Sequence, residues 1–346
     1  MAARIKTAVL GATGYSGLEL ARLLLRHPRL EKPVLFRRPA EIGDAADLTK
    51  IFPALSGNGG YPLQPFSWSA LKADEVEVLF LATPHEVSRG LAPEAVARGV
   101  RVIDLSGAWR LKQQQHRAIY GFPDSVSAKE VTEKAVYGLP ELNADRISGA
   151  SLVANPGCYA TSVILALAPL LAAKVIDREK GIVSDSKSGV SGAGKEPTSR
   201  THFVSIANNL SAYSVFGHRH TGEILEQLQL NPRELIFTPH LLPIPRGILS
   251  TIYIHLNREM GPAEVQSCFQ DFYVGKRWVR IFTTPTLPEI GFSLHTNYCD
   301  LGFCLADDRR RLVLISCVDN LLKGAAGQAV QNLNLMQGWQ EDEGLA

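Results

Sequence analysis

Residues 7–17 read Thr7-Ala8-Val9-Leu10-Gly11-Ala12-Thr13-Gly14-Tyr15-Ser16-Gly17, a short apolar run followed by three glycines spaced three apart. The run reads as a buried strand, and the amphipathic stretch Leu18 to His27 beyond it reads as a helix. A glycine-rich turn between the two falls where a tight bend and a close backbone approach to a pyrophosphate are needed. The helix N-terminus then offers N–H groups to the phosphates. Gly11, Thr13, Gly14, Tyr15, Ser16 and Gly17 are therefore the candidate dinucleotide-binding residues.

The pattern continues outward from that turn. Val34-Leu35-Phe36 reads as a second strand, followed by strands at Val76 to Ala82 and Val100 to Leu105 with a helical Glu86 to Arg98 between them. Such alternation predicts βαβ units and a parallel sheet, an α/β Rossmann domain. Pro39 to Pro65, rich in Gly, Pro and Asp, reads mostly as loop. The second strand is followed by Arg37 and Arg38 with no acidic residue for the ribose hydroxyls, which favours NADP(H) over NAD. From Val153 the pattern changes to a helix, Tyr159 to Ala173, and then strand-like runs at Gly181 to Ser186, Leu235 to Phe237, Leu249 to Leu256 and Val279 to Phe282. That predicts an α+β second domain on a mixed or antiparallel sheet. A strand at Leu312 to Cys317 and a helix at Gly324 to Met336 follow, the helix expected to pack back on the first domain. The expected division is residues 1–154 and 319–346 for the NADP-binding domain, and 155–318 for a catalytic and oligomerisation domain.

Composition narrows the function. A chain of 346 residues, 45% hydrophobic and 20% charged, can bury two ordinary cores. A net charge of +2 with scattered basic residues argues against a nucleic-acid partner. The longest apolar stretch, Val163 to Ala173, is interrupted by Pro169 and falls short of the roughly 20 residues of a membrane helix. The opening residues leave no room for the apolar core of a signal peptide, so a cytoplasmic protein is expected. Five cysteines without paired C-x-x-C spacing read as reduced thiols. Cys299 and Cys304, near His295 and Asp300, match no familiar metal spacing, and no metal is expected.

Pro156-Gly157-Cys158-Tyr159 leads into an apolar helix, which sets Cys158 at or beside a helix N-terminus. The positive end of the helix dipole favours thiolate there, the condition for a nucleophile at neutral pH. Cys268 and Cys317 read as structural thiols. A thiolate needs a proton partner, and His218-Arg219-His220 stands just before a helical Thr221 to Leu228. His218 is the preferred acid/base, with His220 the alternative; His85 and His240 read as loop histidines. Gly189 to Lys195 imitates a Walker A loop, but Glu196-Pro197 replaces the expected Ser/Thr and helix. The run reads instead as a loop passing close to the cofactor, with Ser188 and Gly189 facing it. Charge marks Arg110, Lys195 and Arg219 as anion contacts, and Asn155 precedes the cysteine turn as a further substrate candidate.

Taken together, Gly11 to Gly17, Asp104-Leu105-Ser106, Tyr137 to Glu141, Asn155 to Thr161, Lys187 to Lys195, Gly217 to Thr221, Phe237 to Gly247 and Asp319 to Asn332 form an ordered set. In that set the chain resembles the N-acetyl-gamma-glutamyl-phosphate reductase family, relatives of aspartate-semialdehyde dehydrogenase. The resemblance implies a Cys158 nucleophile and a thioester reduced by NADPH. It makes the Gly217 to His220 run the acid/base and substrate element, and Asn320 a cofactor neighbour. It also implies acyl phosphate, semialdehyde and phosphate as small-molecule partners, and a homo-oligomer, dimer or tetramer. Two departures stand out: Phe36-Arg37-Arg38-Pro39 lacks the family's Ser-Arg pair, and Trp109 occupies a position where Phe is usual.

Overall fold

A computed structural model describes residues 4–37, 47–57, 59–122 and 126–345, and its chain forms two compact units. The first comprises Met1–Arg110, Pro123–Asn155 and Ala325–Ala346, the second Leu111–Phe122 and Pro156–Gly324. Arg38 lies outside the described residues.

In the first unit seven strands form one sheet: β1 (Thr7–Leu10), β2 (Val34–Arg37), β3 (Leu63–Pro65), β4 (Val78–Leu81), β5 (Arg101–Asp104), β6 (Val136–Tyr137) and β7 (Leu152–Ala154). Their order is β3-β2-β1-β4-β5-β7-β6, and every neighbouring pair is parallel. All four residues of β1 and of β4 are buried, the continuous apolar run expected of a parallel strand covered on both faces. The strand order reverses between β1 and β4, the switch point where such sheets take ligands. Val9, Leu20, Phe80, Ile103, Ala329, Val330 and Leu333 belong to one core cluster. Each of the Val, Leu, Ile and Phe side chains among them contributes roughly 1.5–3 kcal/mol on burial. The Gly327–Met336 helix thus completes this core, and its Asn334 Oδ1 lies 2.9 Å from His27 Nε2.

The second sheet contains β8 (Ile182–Gly189), β9 (Ser211–Ala212), β10 (Leu235–Leu242), β11 (Ile248–His255), β12 (Val279–Ile281), β13 (Cys299–Leu305) and β14 (Arg311–Val318). The order is β12-β13-β14-β11-β8-β10-β9. Pairing is parallel at β8–β10 and β12–β13 and antiparallel elsewhere, which makes it the mixed sheet expected. Burial alternates along β8, β10 and β11, so one face carries the core. On that face lies the Cys158–Ala172 helix, uncharged and buried from Tyr159 to Leu170. It is flanked by the Arg219–Leu228 and Pro262–Phe272 helices.

Hydroxyls run through this contact. Ser162 Oγ lies 2.9 Å from both Ser250 Oγ and Ser316 Oγ, Ser186 Oγ lies 2.8 Å from Ser250 Oγ, and Ser316 Oγ donates to the Ser162 carbonyl oxygen (2.9 Å). All four serines are fully buried and mutually satisfied, the condition under which a polar interior is tolerated.

Several elements differ from the sequence expectation. The stretch read as loop contains a short helix at Leu48–Ile51 and the edge strand β3, which at three residues is too short to show a period. The histidine helix starts at Arg219 rather than Thr221, so His218 is its N-cap and His220 lies in its first turn. The C-terminal element opens with a wide π-type turn at Leu322–Ala326 before the α-helix from Gly327. Leu111–Phe122 groups with the second unit because Glu226 accepts the N–H groups of Lys112 (2.7 Å) and Gln113 (2.9 Å) and pairs with His116.

Candidate active site

The glycine turn of the first unit has the shape its sequence predicts. Gly11 has φ +98°, and a Cβ there would lie 2.3 Å from the Ala82 carbonyl oxygen. A Cβ on Gly17 would lie 2.0 Å from the Gly11 oxygen, so only glycine lets the helix start this close to the strand. At Gly14 the nearest atom to such a Cβ is 3.7 Å away, which leaves the turn open on that side. No side chain caps the Tyr15–Arg26 helix and its first turn has no acidic residue. An open turn and an uncapped helix of 12 residues fit a pyrophosphate. Thr13 belongs to this turn, Tyr15 and Ser16 begin the helix, and Arg37 ends β2, the strand beside β1.

In the second unit a cavity of about 420 Å3 is lined by Cys158, Ser188, Arg200, His218, Arg219 and His220, with Tyr159 and Tyr213 also in its wall. Cys158 is the first residue of its helix, Gly157 is the N-cap, and no side chain caps that end. The half-buried thiol therefore stands at the positive end of the dipole. Gly157 is required by its neighbours: a Cβ there would lie 2.3 Å from His220 Nε2. The Gly157 N–H donates to Glu223 Oε2 (2.9 Å), and Glu223 Oε1 lies 3.9 Å from His220 Nε2. This carboxylate is completely buried, so a proton held on His220 has a negative partner within one helical turn. Gly324 closes the other side, where a Cβ would lie 2.7 Å from Cys158 Cβ.

The two histidines are not equivalent. His218 Nδ1 accepts the His220 N–H (3.1 Å) as a helix cap, which puts its ring proton on Nε2. Burial, and secondarily the Arg219 charge, lowers His218 from 6.5 to about 4. An unfolded chain binds a proton at this position below pH 6.5 and the folded one does not. The stability this supplies is complete above pH 6.5 and is lost as pH falls towards 4. Asparagine keeps a capping side chain without the titration. His218→Asn is therefore expected to flatten the decline of melting temperature between pH 6.5 and 4; an unchanged slope would place the acid sensitivity elsewhere.

Tyr159 donates its hydroxyl to the His240 carbonyl oxygen (2.7 Å) and accepts from Tyr213 (3.5 Å). Burial pushes the Tyr213 hydroxyl up to about 12, so both phenols stay neutral.

The remaining sequence candidates divide. Ser188 lines the cavity, as do Arg219 and the two histidines. Gly189 and Asn320 do not line it: the Gly189 N–H donates to Gly247 O (2.9 Å), and Asn320 bonds Ser191 Oγ (2.9 Å) and the Gly247 N–H (2.7 Å). They shape the loop next to it. Lys195 is exposed and also does not line the cavity. Arg110 and Asn155 belong to the first unit and are engaged there. The buried Arg110 donates to the Asn155 and Leu105 carbonyl oxygens (both 2.7 Å), and the Asn155 amide bonds Ala325 O (3.0 Å) and Asn332 Nδ2 (2.9 Å). Both also brace the backbone ahead of the cysteine turn. The sequence reading missed Glu223, Arg200 and Tyr213. Only Glu223 had a local signal, three residues after His220 on one helix face.

A glycine turn of the dinucleotide-binding kind in one unit, and a cysteine heading a helix packed on a mixed sheet in the other, match an oxidoreductase of the semialdehyde dehydrogenase class. The NAD binding domain of semialdehyde dehydrogenase matches residues 6–150, and the semialdehyde dehydrogenase dimerisation domain matches residues 158–320. An N-acetyl-gamma-glutamyl-phosphate reductase of Desulfotalea psychrophila is 42% identical over 349 residues, covering 99% of this chain and 98% of that one. Proteins of the same name in Methanocaldococcus jannaschii (42%, 98% of this chain and 97% of that one) and Bacillus subtilis (38%, 99% and 98%) match over nearly their whole length. The chain belongs to the N-acetyl-gamma-glutamyl-phosphate reductase family. The fold is shared with aspartate semialdehyde dehydrogenase II of Vibrio cholerae complexed with ASA, at TM-score 0.70 and 18% identity over 97% of this chain and 98% of that one. The enzyme of Candida albicans with NADP is similar at TM-score 0.66 and 15% identity over 97% and 99%. Among the described residues no helix is long and apolar enough to cross a membrane.

Proposed function

We propose that this chain reduces N-acetyl-gamma-glutamyl phosphate to N-acetylglutamate 5-semialdehyde with NADPH, releasing phosphate, in arginine biosynthesis. The observation that carries the reading is Cys158 at an uncapped helix N-terminus with the His220–Glu223 pair packed over Gly157. His220 takes the thiol proton, and the Cys158 thiolate attacks the acyl carbon. The bond from carbon to phosphate oxygen breaks and the imidazolium returns the proton to the departing phosphate, leaving a thioester. NADPH, when bound, supplies the hydride that reduces the thioester carbon. The oxyanion of each tetrahedral state faces the first N–H groups of the Cys158 helix. Collapse then expels the aldehyde and regenerates the thiolate, which solvent reprotonates through His220.

The cap and burial of His218, preferred on sequence, favour His220 as the acid/base. His218 spends Nδ1 on the cap and is held neutral by burial. Arg200 and Arg219, both exposed in the cavity wall, are the cations for phosphate and carboxylate. Gly11 to Gly17 hold the pyrophosphate, and Arg37 with Arg38 the 2′-phosphate. The match to a dimerisation domain supports a homo-oligomer, and the enzyme is assigned to the cytoplasm as a biosynthetic reductase.

The test is the reverse assay. With N-acetylglutamate 5-semialdehyde, phosphate and NADP, the purified protein forms NADPH, and omitting phosphate stops it. Turnover independent of phosphate would sink the acyl-phosphate assignment, and a preference for aspartate semialdehyde would move the substrate.

A further inference from the structure

Asp319, the residue after β14, is completely buried and uses both of its carboxylate oxygens. Oδ1 accepts from the Leu321 N–H (2.8 Å), the Leu322 N–H (3.1 Å) and Arg246 Nη2 (3.1 Å), and Oδ2 accepts the His295 N–H (2.9 Å). A carboxylate this deep is tolerated because N–H donors and a guanidinium charge compensate it. The bonds to Leu321 and Leu322 only shape a local turn. Those to Arg246 and His295 reach 73 and 24 residues along the chain, which a turn by itself does not require.

From this carboxylate two paths lead to the cysteine cavity, both within the second unit. Along the first, the Asp319 carbonyl oxygen accepts the Gly324 N–H (2.9 Å), and Gly324 is pressed against the nucleophile. A Cβ on Gly324 would lie 2.7 Å from Cys158 Cβ and 3.2 Å from its Cα, so the place of this turn fixes the place of the thiol stem. Along the second, the Arg246 backbone packs on Gly189, where a Cβ would lie 2.7 Å from the Arg246 nitrogen. The Val190 and Ser191 N–H groups donate to the Ile244 (2.8 Å) and Pro245 (3.1 Å) carbonyl oxygens. That loop supplies Ser188, Gly192 and Ala193 to the cavity wall, while Asp319 itself does not line it.

We infer that Asp319 is a positioning residue for the nucleophile: through Gly324 and Arg246 it holds Cys158 and the loop 188–193 in register around the reacting carbon. The inference rests on the proposed reaction and adds a residue that acts on it without touching substrate. A displacement of about 1 Å at a reacting group can cost on the order of 100-fold in rate, so the register of these two walls is worth a buried charge.

The test follows alkylation of Cys158 by iodoacetamide as a function of pH, read on its own peptide by mass spectrometry, beside oxidation of the semialdehyde with phosphate and NADP. Asp319→Asn should lower kcat about 10- to 100-fold, with KM changed less than about threefold. Charge and position predict opposite shifts in the alkylation midpoint. Removing a buried negative charge, and leaving Arg246 unpaired by it, makes thiolate easier to form and lowers the midpoint. Letting the thiol drift off the helix terminus raises it. A raised midpoint supports the inference; an unchanged or lowered one overturns it, as does a kcat within about twofold of wild type. Gly324→Ala alters no charge and bears directly on Cys158 Cβ, so it should give the same fall in kcat and the same upward shift. Should Asp319→Asn not fold, Arg246→Lys, which keeps the charge and loses the two-pronged contact, decides: a smaller fall in kcat with a raised midpoint supports the inference, and wild-type values overturn it. If the wild-type protein oxidises no semialdehyde, the proposed reaction fails, and the alkylation midpoints still judge Asp319.

Discussion

Serine in place of Cys158 is expected to lower phosphate-dependent oxidation of the semialdehyde by about 10^4-fold or more, the scale of loss when a covalent nucleophile is removed. A hydroxyl at the same helix terminus stays protonated where a thiol ionises, and an oxygen ester accepts hydride far less readily than a thioester. The packing tolerates the change, because serine adds no volume where Gly324 already crowds Cys158 Cβ. The dinucleotide turn belongs to the other unit, so NADPH affinity, read by fluorescence titration, should be unchanged within about twofold. Retention of more than about a hundredth of the activity would refute covalent catalysis at this residue.

The second large effect is at His220. His220→Asn is expected to reduce kcat about 10^2- to 10^4-fold with little change in KM, the range of a lost general acid/base. His218→Asn should cost much less, because asparagine preserves the cap that His218 Nδ1 provides to the His220 N–H. Glu223→Gln should fall between, since an amide oxygen can still accept the Gly157 N–H but no longer carries charge opposite His220. The reverse ranking, with His218→Asn the more damaging, would return the role to the cap residue. A kcat–pH profile that loses its acidic limb in His220→Asn alone would place the titration on that ring.

The Rossmann half was legible because its signal is local. The four-residue strand is apolar because it is buried throughout, and the glycines at 11 and 17 are imposed by backbone crowding at Ala82 and Gly11, so the sequence records the geometry directly. The cysteine turn was legible for the same reason, as Gly157 and Cys158 meet a helix terminus. The choice between His218 and His220 was not legible. It depends on a helix start two residues earlier than the pattern suggested, on a buried carboxylate and on which ring nitrogen caps the helix. For Arg110 and Asn155, charge and position identify a polar group without saying what satisfies it; here backbone carbonyls and a neighbouring amide do. Arg200 and Tyr213 reach the cavity through loop paths with no periodicity to read.

The first unit is built from segments far apart in the chain, and this sets an order of events during synthesis. Val9 and Leu20 share a core with Val330 and Leu333, and His27 is paired with Asn334, 307 residues later. Ribosomes add about 5–20 residues per second, so the earliest strand waits tens of seconds for the helix that covers it. Over the same interval the second unit, from Pro156 to Gly324, emerges as an almost unbroken stretch that needs only Leu111–Phe122 from earlier in the chain. The half bearing Cys158 can therefore assemble while the half bearing the glycine turn is still incomplete.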